Sequence, residues 1–294
     1  MHTIVSARPV VLPSPGRGED LQARVTAPVT GRDLPVIVFS HGFGWSMDGY
    51  APLADHWAAH GFAVIQPTHL DSRTLNLAPD DPRTPEIWRF RVDDLIGAID
   101  GLDALEAAVP GLAGRLDPTR VAVAGHSWGG QSASMLLGAR VAGEPGDRTD
   151  KRVTAGVLLA APGSGDELTP FATEHLPFMK PDFAHMTTPA LVVAGDHDQS
   201  HLTTRGPDWF TDPYTLGAGP KALLTLFGAE HSLGGIVGTT VTETTDENPA
   251  RVTLLQKLTT AYLRTALGVD EEAWPTARKE LAAETEPLGS ITAK

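Results

Sequence analysis

Residues 120–137 read RVAVAGHSWGGQSASMLL. The first six, RVAVAG, form a short apolar run of the kind that makes a buried strand. The stretch from Trp128 onward has the small and aliphatic residues of a buried helix. Ser127 sits at the junction, within Gly125-His126-Ser127-Trp128-Gly129. A G-x-S-x-G placed directly after a strand and before a helix is the setting of a nucleophile elbow, a tight turn that lifts one hydroxyl above the sheet. Glycines two residues to either side give the backbone room to pass. The Trp128 N–H, at the helix N-terminus, would then face a developing oxyanion.

Around this stretch the same alternation repeats. The runs PVIVFS (35–40), FAVIQP (62–67), AGVLLAAPG (155–163), PALVVAG (189–195) and KALLTLF (221–227) are nearly continuous in apolar residues, as expected of strands covered on both faces. Helical segments are expected at 50–60, 87–108, 128–142 and 250–267. Strands alternating with helices predict an α/β fold with a mostly parallel central sheet. The first 40 residues, with IVSARPVVLP and LQARVTAP, predict a leading antiparallel hairpin. No repeat or composition break divides the chain, so residues 1–294 are read as one domain. Residues 70–86 and 199–220 are long Pro- and Gly-interrupted stretches, expected as loops that wall a pocket. The acidic, alanine-rich tail 269–294 is expected to form a docked or loose final helix.

A serine hydroxyl needs a base, an acid to orient that base, and donors for an oxyanion. In this arrangement the chain order is serine, acid, histidine. His231, in LLTLFGAEHSLGG after the last predicted strand, is the expected base; His197 and His201 lie too early. Asp198, in LVVAGDHDQS, is the favoured acid, with Asp196 expected to cap the turn. Asp196 and Asp166 remain alternatives. The SHGFG stretch after the first core strand offers the Phe43 N–H as second oxyanion donor beside that of Trp128. His41 and His126 belong to the turns themselves and are read as structural. Trp45, Trp128 and Phe43 flank the serine in sequence and are candidates for an apolar acyl wall. His69, Asp71 and Trp88 fall at or after a strand end, where ligands of such sheets bind. Of these His69 is expected at the substrate and Trp88 in the core. Arg89, Arg91, Asp93 and Asp94 are expected on a solvated or salt-bridged helix face.

Composition removes several classes. The chain of 294 residues has 36 acidic and 23 basic residues, a formal charge of −13. That balance argues against a nucleic-acid groove or an anionic membrane surface. With no cysteine, thiolate catalysis, disulfides and Cys-bound zinc are excluded. The Asp196-His197-Asp198…His201 cluster has metal-capable groups, but the triad reading uses the same residues, and no metal is expected. No apolar stretch reaches the ~18 residues of a membrane helix. No secretory signal is visible in MHTIVSARPVVLPSPGRGED, so a cytoplasmic location is expected, with a secreted form already trimmed of its signal as the alternative.

Taken together, HGFG, GHSWGG, GDHD and GAEHS resemble the α/β-hydrolase fold, in family order after successive strands. GHSWGG and the passage from PTHLDS to RFRVDDLIGAIDGL are most similar to the dienelactone-hydrolase-like, platelet-activating-factor-acetylhydrolase-like and chlorophyllase-like esterases. Dienelactone hydrolases proper use a cysteine nucleophile, which this chain lacks. Haloalkane dehalogenases and epoxide hydrolases place an aspartate where Ser127 stands. The resemblance implies a sheet of about eight strands and cofactor-free hydrolysis of a small-molecule carboxylic ester through an acyl-enzyme. Thioester or lactone hydrolysis, acyl transfer and lyase chemistry use the same triad, and a ligand receptor on this fold is the rival from another class.

Overall fold

A computed structural model describes residues 1–78, 80–238 and 245–294. Pro79, within the predicted 70–86 loop, lies outside the described residues. The strands are β1 (Ile4–Leu12), β2 (Leu21–Pro28), β3 (Leu34–Ser40), β4 (Ala63–Pro67), β5 (Leu116–His126), β6 (Arg140–Val141), β7 (Val153–Leu159), β8 (Pro181–Asp182), β9 (Ala190–Gly195), β10 (Lys221–Leu226) and β11 (Gly289–Ala293). The helices are α1 (Ala51–Ala59), α2 (Ile87–Asp100), α3 (Leu102–Ala108), α4 (Trp128–Leu136), α5 (Pro170–His175), α6 (Asp212–Thr215), α7 (Pro249–Ala266) and α8 (Ala273–Ala283).

Nine strands form one sheet in the order β1-β2-β4-β3-β5-β7-β9-β10-β11. The six from β4 to β10 run parallel; β1, β2 and β11 pair antiparallel at the edges. The continuous apolar runs are explained by two cores, one on each face. In β3, Val36 and Val38 join the core under α2 and α4, while Ile37 and Phe39 join the core under α1 and α7. β5 divides the same way, with Val121 and Val123 on one face and Ala122 and Ala124 on the other. Side chains alternate with period two, so a strand buried on both sides needs no polar position.

Three local departures from expectation have backbone causes. The predicted helix 87–108 breaks at Gly101, where a Cβ would lie 2.8 Å from Leu12 Cδ1, and resumes as α3. The helix after Ser127 ends at Leu136 rather than 142. Gly138 takes φ +112, with His185 O where a Cβ would be, and the chain then enters a two-stranded sheet of β6 and β8. The tail holds α8 and also a strand: Gly289–Ala293 pairs with β10 from Ala222 to Leu226, giving nine strands where about eight were expected. Among the described residues, no helix is long and apolar enough to cross a membrane.

Candidate active site

The groups of interest stand at C-terminal ends of the parallel strands, where ligands of open α/β sheets bind. Ser127 follows β5 directly, with φ 55° and ψ −127°. This conformation is strained for a residue with a Cβ. Its N–H donates to Leu159 O of β7 at 2.9 Å. The elbow is packed so tightly that only glycine fits beside it. A Cβ on Gly125 would lie 2.2 Å from Gly129 O, and one on Gly129 would lie 2.1 Å from Ser40 O.

Three distant residues meet over this turn. Ser127 Oγ lies 2.9 Å from His231 Nε2. His231 Nδ1 is 3.0 and 3.1 Å from the two carboxylate oxygens of Asp198. Asp198 is fully buried. Burial raises its pKa, against the pull of the His231 hydrogen bond and charge and of the Gln199 backbone. A carboxylate beside Nδ1 requires the proton there, which leaves Nε2 free to accept from Ser127. Of the alternatives, Asp196 accepts from Gly228 N at 2.6 Å, and Asp166 meets the Ser164 hydroxyl. Asp246 was not singled out from sequence. It accepts from Glu230 N and Gly234 N and so holds both ends of the His231 loop. Its sequence neighbours carry no motif that would have drawn attention to it.

The Phe43 and Trp128 N–H groups have no intramolecular acceptor among the described residues. For Trp128 this follows from its place in the first turn of α4, whose N–H groups have no carbonyl a turn earlier. The 41–44 loop abuts the elbow: a Cβ at Gly42 would be 3.5 Å from Ser127 Cβ. Arg91, wholly buried, anchors that loop. It donates to His41 O, pairs with Asp71 at 2.5 Å, and lies 4.7 Å over the Trp128 ring. Asp71 in turn accepts from Gly44 N at 3.0 Å. Burial alone would raise the Asp71 pKa, but Arg91 with His41 and His69 brings it down to about 2. Of the solvated or salt-bridged face expected on α2, all four residues are ion-paired: Arg89 and Asp93 form partly exposed pairs with Glu86, Glu144 and Arg148. Arg91 and Asp94 are buried ion-pair members.

A cavity of about 390 Å³ opens beside Ser127 and His231. Trp128, Met179, Leu202, Trp209 and Phe210 give it apolar walls, and Phe43, 61% exposed, stands at its rim. Trp128 is stacked on Phe178 at 5.2 Å. Residues 199–202 supply part of the wall. On the other side of Phe43 a more open groove of about 420 Å³ carries Arg73 and Asn76, from the 70–86 stretch. Two expected substrate contacts face elsewhere. Trp45 packs on the α1/α7 core near Gly49. His69 is fully buried, with Nε2 at Ser40 Oγ (2.8 Å) and Nδ1 at Asp94 (2.9 Å). It reproduces a Ser-His-Asp line, but no solvent or ligand can reach it. The strand end predicted its position, yet the side chain points inward because Asp94 and Arg17 form a buried pair beneath it. Trp88 packs in the core as expected.

His41 and His126 are held by the turns, also as expected. The burial of His41, His69 and His126 has a measurable consequence. Burial lowers all three pKa values, His126 to about 3 and the other two well below the usual imidazole range. Below pH ~6.5 the unfolded chain takes up protons at these rings and the native state does not. Native stability therefore falls as pH drops from about 6.5, offset in part by Asp94 beside His69, which burial raises to about 6 so that the native state takes up a proton there. Thermal melts at pH 7.5, 6.5 and 5.5 are expected to show little change over the first interval and a steep loss of Tm over the second.

Comparison with known proteins fits this architecture. Carboxylesterase NlhH of Mycobacterium tuberculosis, from strains CDC 1551 / Oshkosh and ATCC 25618 / H37Rv, is 37% identical over 131 residues. That alignment takes in 43% of this chain and 36% of each relative, so the chain spans about a third of the length of the curated relatives it matches. A longer match, over residues 37–277, is to the alpha/beta hydrolase family. It runs from β3, whose loop abuts the elbow, into α8, and takes in every strand that delivers a residue to the site; the chain belongs to that family.

Proposed function

We propose that this protein is a serine hydrolase of carboxylic esters, acting through an acyl-enzyme on the Ser127-His231-Asp198 triad. The observation that carries the reading is the unbroken line from Ser127 Oγ through His231 to buried Asp198 at 2.9–3.1 Å, opening onto an apolar cavity. Ser127 attacks the ester carbonyl while His231 Nε2 accepts its proton; Asp198 stabilises the imidazolium that forms. The Phe43 and Trp128 N–H groups bind the tetrahedral oxyanion. His231 then protonates the leaving alcohol, and a water molecule repeats the sequence to release the acid. Similarity to a protein named as a carboxylesterase supports the same chemistry. The chain acts as one hydrolase unit, with residues 199–220 contributing the acyl wall.

The test is turnover of p-nitrophenyl esters together with labelling of Ser127 by a fluorophosphonate. Absence of both in folded protein would favour a receptor on the hydrolase fold. The apolar walls also set a gradient. Burying one CH₂ is worth about 0.8 kcal/mol, so kcat/KM should climb about fourfold per acyl methylene until the cavity is full, then level off. A flat profile from acetate to octanoate would place the acyl group outside this cavity.

A further inference from the structure

Two parts of the proposed machinery come from different strands: the oxyanion loop after β3 and the base loop after β10. One buried hydrogen-bonded line joins them. Gly42 N–H donates to Tyr50 Oη at 3.0 Å. Tyr50 Oη lies 2.9 Å from His126 Nδ1. His126 Nε2 lies 2.8 Å from the carbonyl oxygen of His231. Tyr50 is wholly buried and His126 nearly so.

The protonation pattern along this line has one solution. A carbonyl only accepts, so His126 Nε2 carries a proton. A His126 pKa of about 3 keeps the ring neutral, so Nδ1 is an acceptor and Tyr50 donates to it. Tyr50 Oη then uses its lone pair for Gly42 N–H. Each group has a single role and none can reverse it. Tyr50 is itself fixed: it takes a left-handed φ of 64° before α1, and its N–H donates to Val237 O at 2.9 Å, on the far side of the base loop.

We infer that Tyr50 and His126 are positioning residues, which hold the Phe43 oxyanion donor and the His231 base at a fixed separation on either side of Ser127. The inference rests on the serine-hydrolase reading above. The Gly42 N–H is pinned one peptide before the Phe43 N–H, so the line sets the tilt of that donor. The His126 ring centroid is 5.0 Å from that of His231, and a neutral ring there does not oppose the charge His231 gains as Ser127 attacks.

The test is a double-mutant cycle on Tyr50→Phe and His126→Gln. The first removes only the hydroxyl. The second keeps an N–H donor near the His231 carbonyl but offers Tyr50 no ring nitrogen. Turnover is measured per folded molecule, well below each variant's Tm, on p-nitrophenyl butyrate. Tyr50→Phe is expected to lower kcat about tenfold or more with KM changed less than about twofold, because the loss falls on geometry needed only in the transition state. The double variant should be within about twofold of the worse single, since both break one unit. A Tyr50→Phe kcat within about twofold of wild type, a loss carried by KM, or losses that multiply would each assign the line a merely structural role. Wild-type turnover and its abolition in Ser127→Ala are read in the same assay. If wild type fails, the hydrolase reading falls and the inference with it; if wild type turns over and Tyr50→Phe matches it, the inference alone falls.

Discussion

Ser127→Ala is expected to lower ester turnover by about 10⁴–10⁶ while leaving a folded protein. The size follows from the site having, among the described residues, a single hydroxyl that combines access to the cavity, a base at 2.9 Å and two unpaired N–H groups beside it. What remains is background from the oxyanion donors and from substrate binding. Folding should be spared because, among the described residues, Ser127 Oγ bonds only to His231. Its backbone bonds, to Leu159 O and from Gly130 N, do not depend on the side chain. The strain at φ 55° persists with alanine and is relieved by glycine. Ser127→Gly should therefore be equally inactive but more stable than Ser127→Ala, by about 1 kcal/mol or more. Calorimetry beside p-nitrophenyl ester kinetics reads both quantities. Substantial turnover in the alanine variant would transfer the nucleophile to another residue. The buried Ser40 in its own Ser-His-Asp line supplies a control: Ser40→Ala should change stability and not abolish turnover.

That pair of serines shows what the sequence could and could not yield. The elbow was legible because a tight turn imposes its own residues. Gly125 and Gly129 are required by contacts of 2.2 and 2.1 Å, and sterics of that kind leave a local signature. The two-faced strands were legible for a related reason, since burial on both sides removes polar positions from the run. Side-chain direction at a strand end leaves no such mark. His69 and His41 both follow strands, and only the buried ions around them, Asp94 with Arg17 and Asp71 with Arg91, turn them away from solvent. Those partners lie about 20 to 80 residues apart in the chain. Tyr50 and Asp246 were hidden for a different reason: they support the site from outside its motifs, through contacts that leave no pattern in their own sequence neighbours. The edge strand Gly289–Ala293 was missed because an edge position needs backbone pairing with β10 more than an apolar run.

Asp198→Asn should cost about 10⁴ in kcat at neutral pH, the second-largest effect among the variants considered. The amide is close in shape to the carboxylate, so packing around a fully buried residue is preserved. Its NH₂ can face His231 Nδ1, which then accepts rather than donates. The imidazole proton moves to Nε2, where it meets Ser127 Oγ and blocks proton uptake. The variant also withdraws the negative charge that stabilises His231 once protonated. Both losses arise in the transition state, so KM should hold nearly constant while kcat falls. The two other carboxylates weighed as the acid give the contrast. Among the described residues, Asp196 accepts only the Gly228 N–H in the turn beside it, and Asp166 reaches no histidine. Asn at either position should leave kcat within about threefold of wild type, and Asp196→Asn should leave stability nearly unchanged, because its amide oxygen still accepts the Gly228 N–H. A large kcat loss at 196 together with a small one at 198 would reverse the assignment. It would also require the base to swing away from the buried carboxylate that it meets with both oxygens at 3.0 and 3.1 Å.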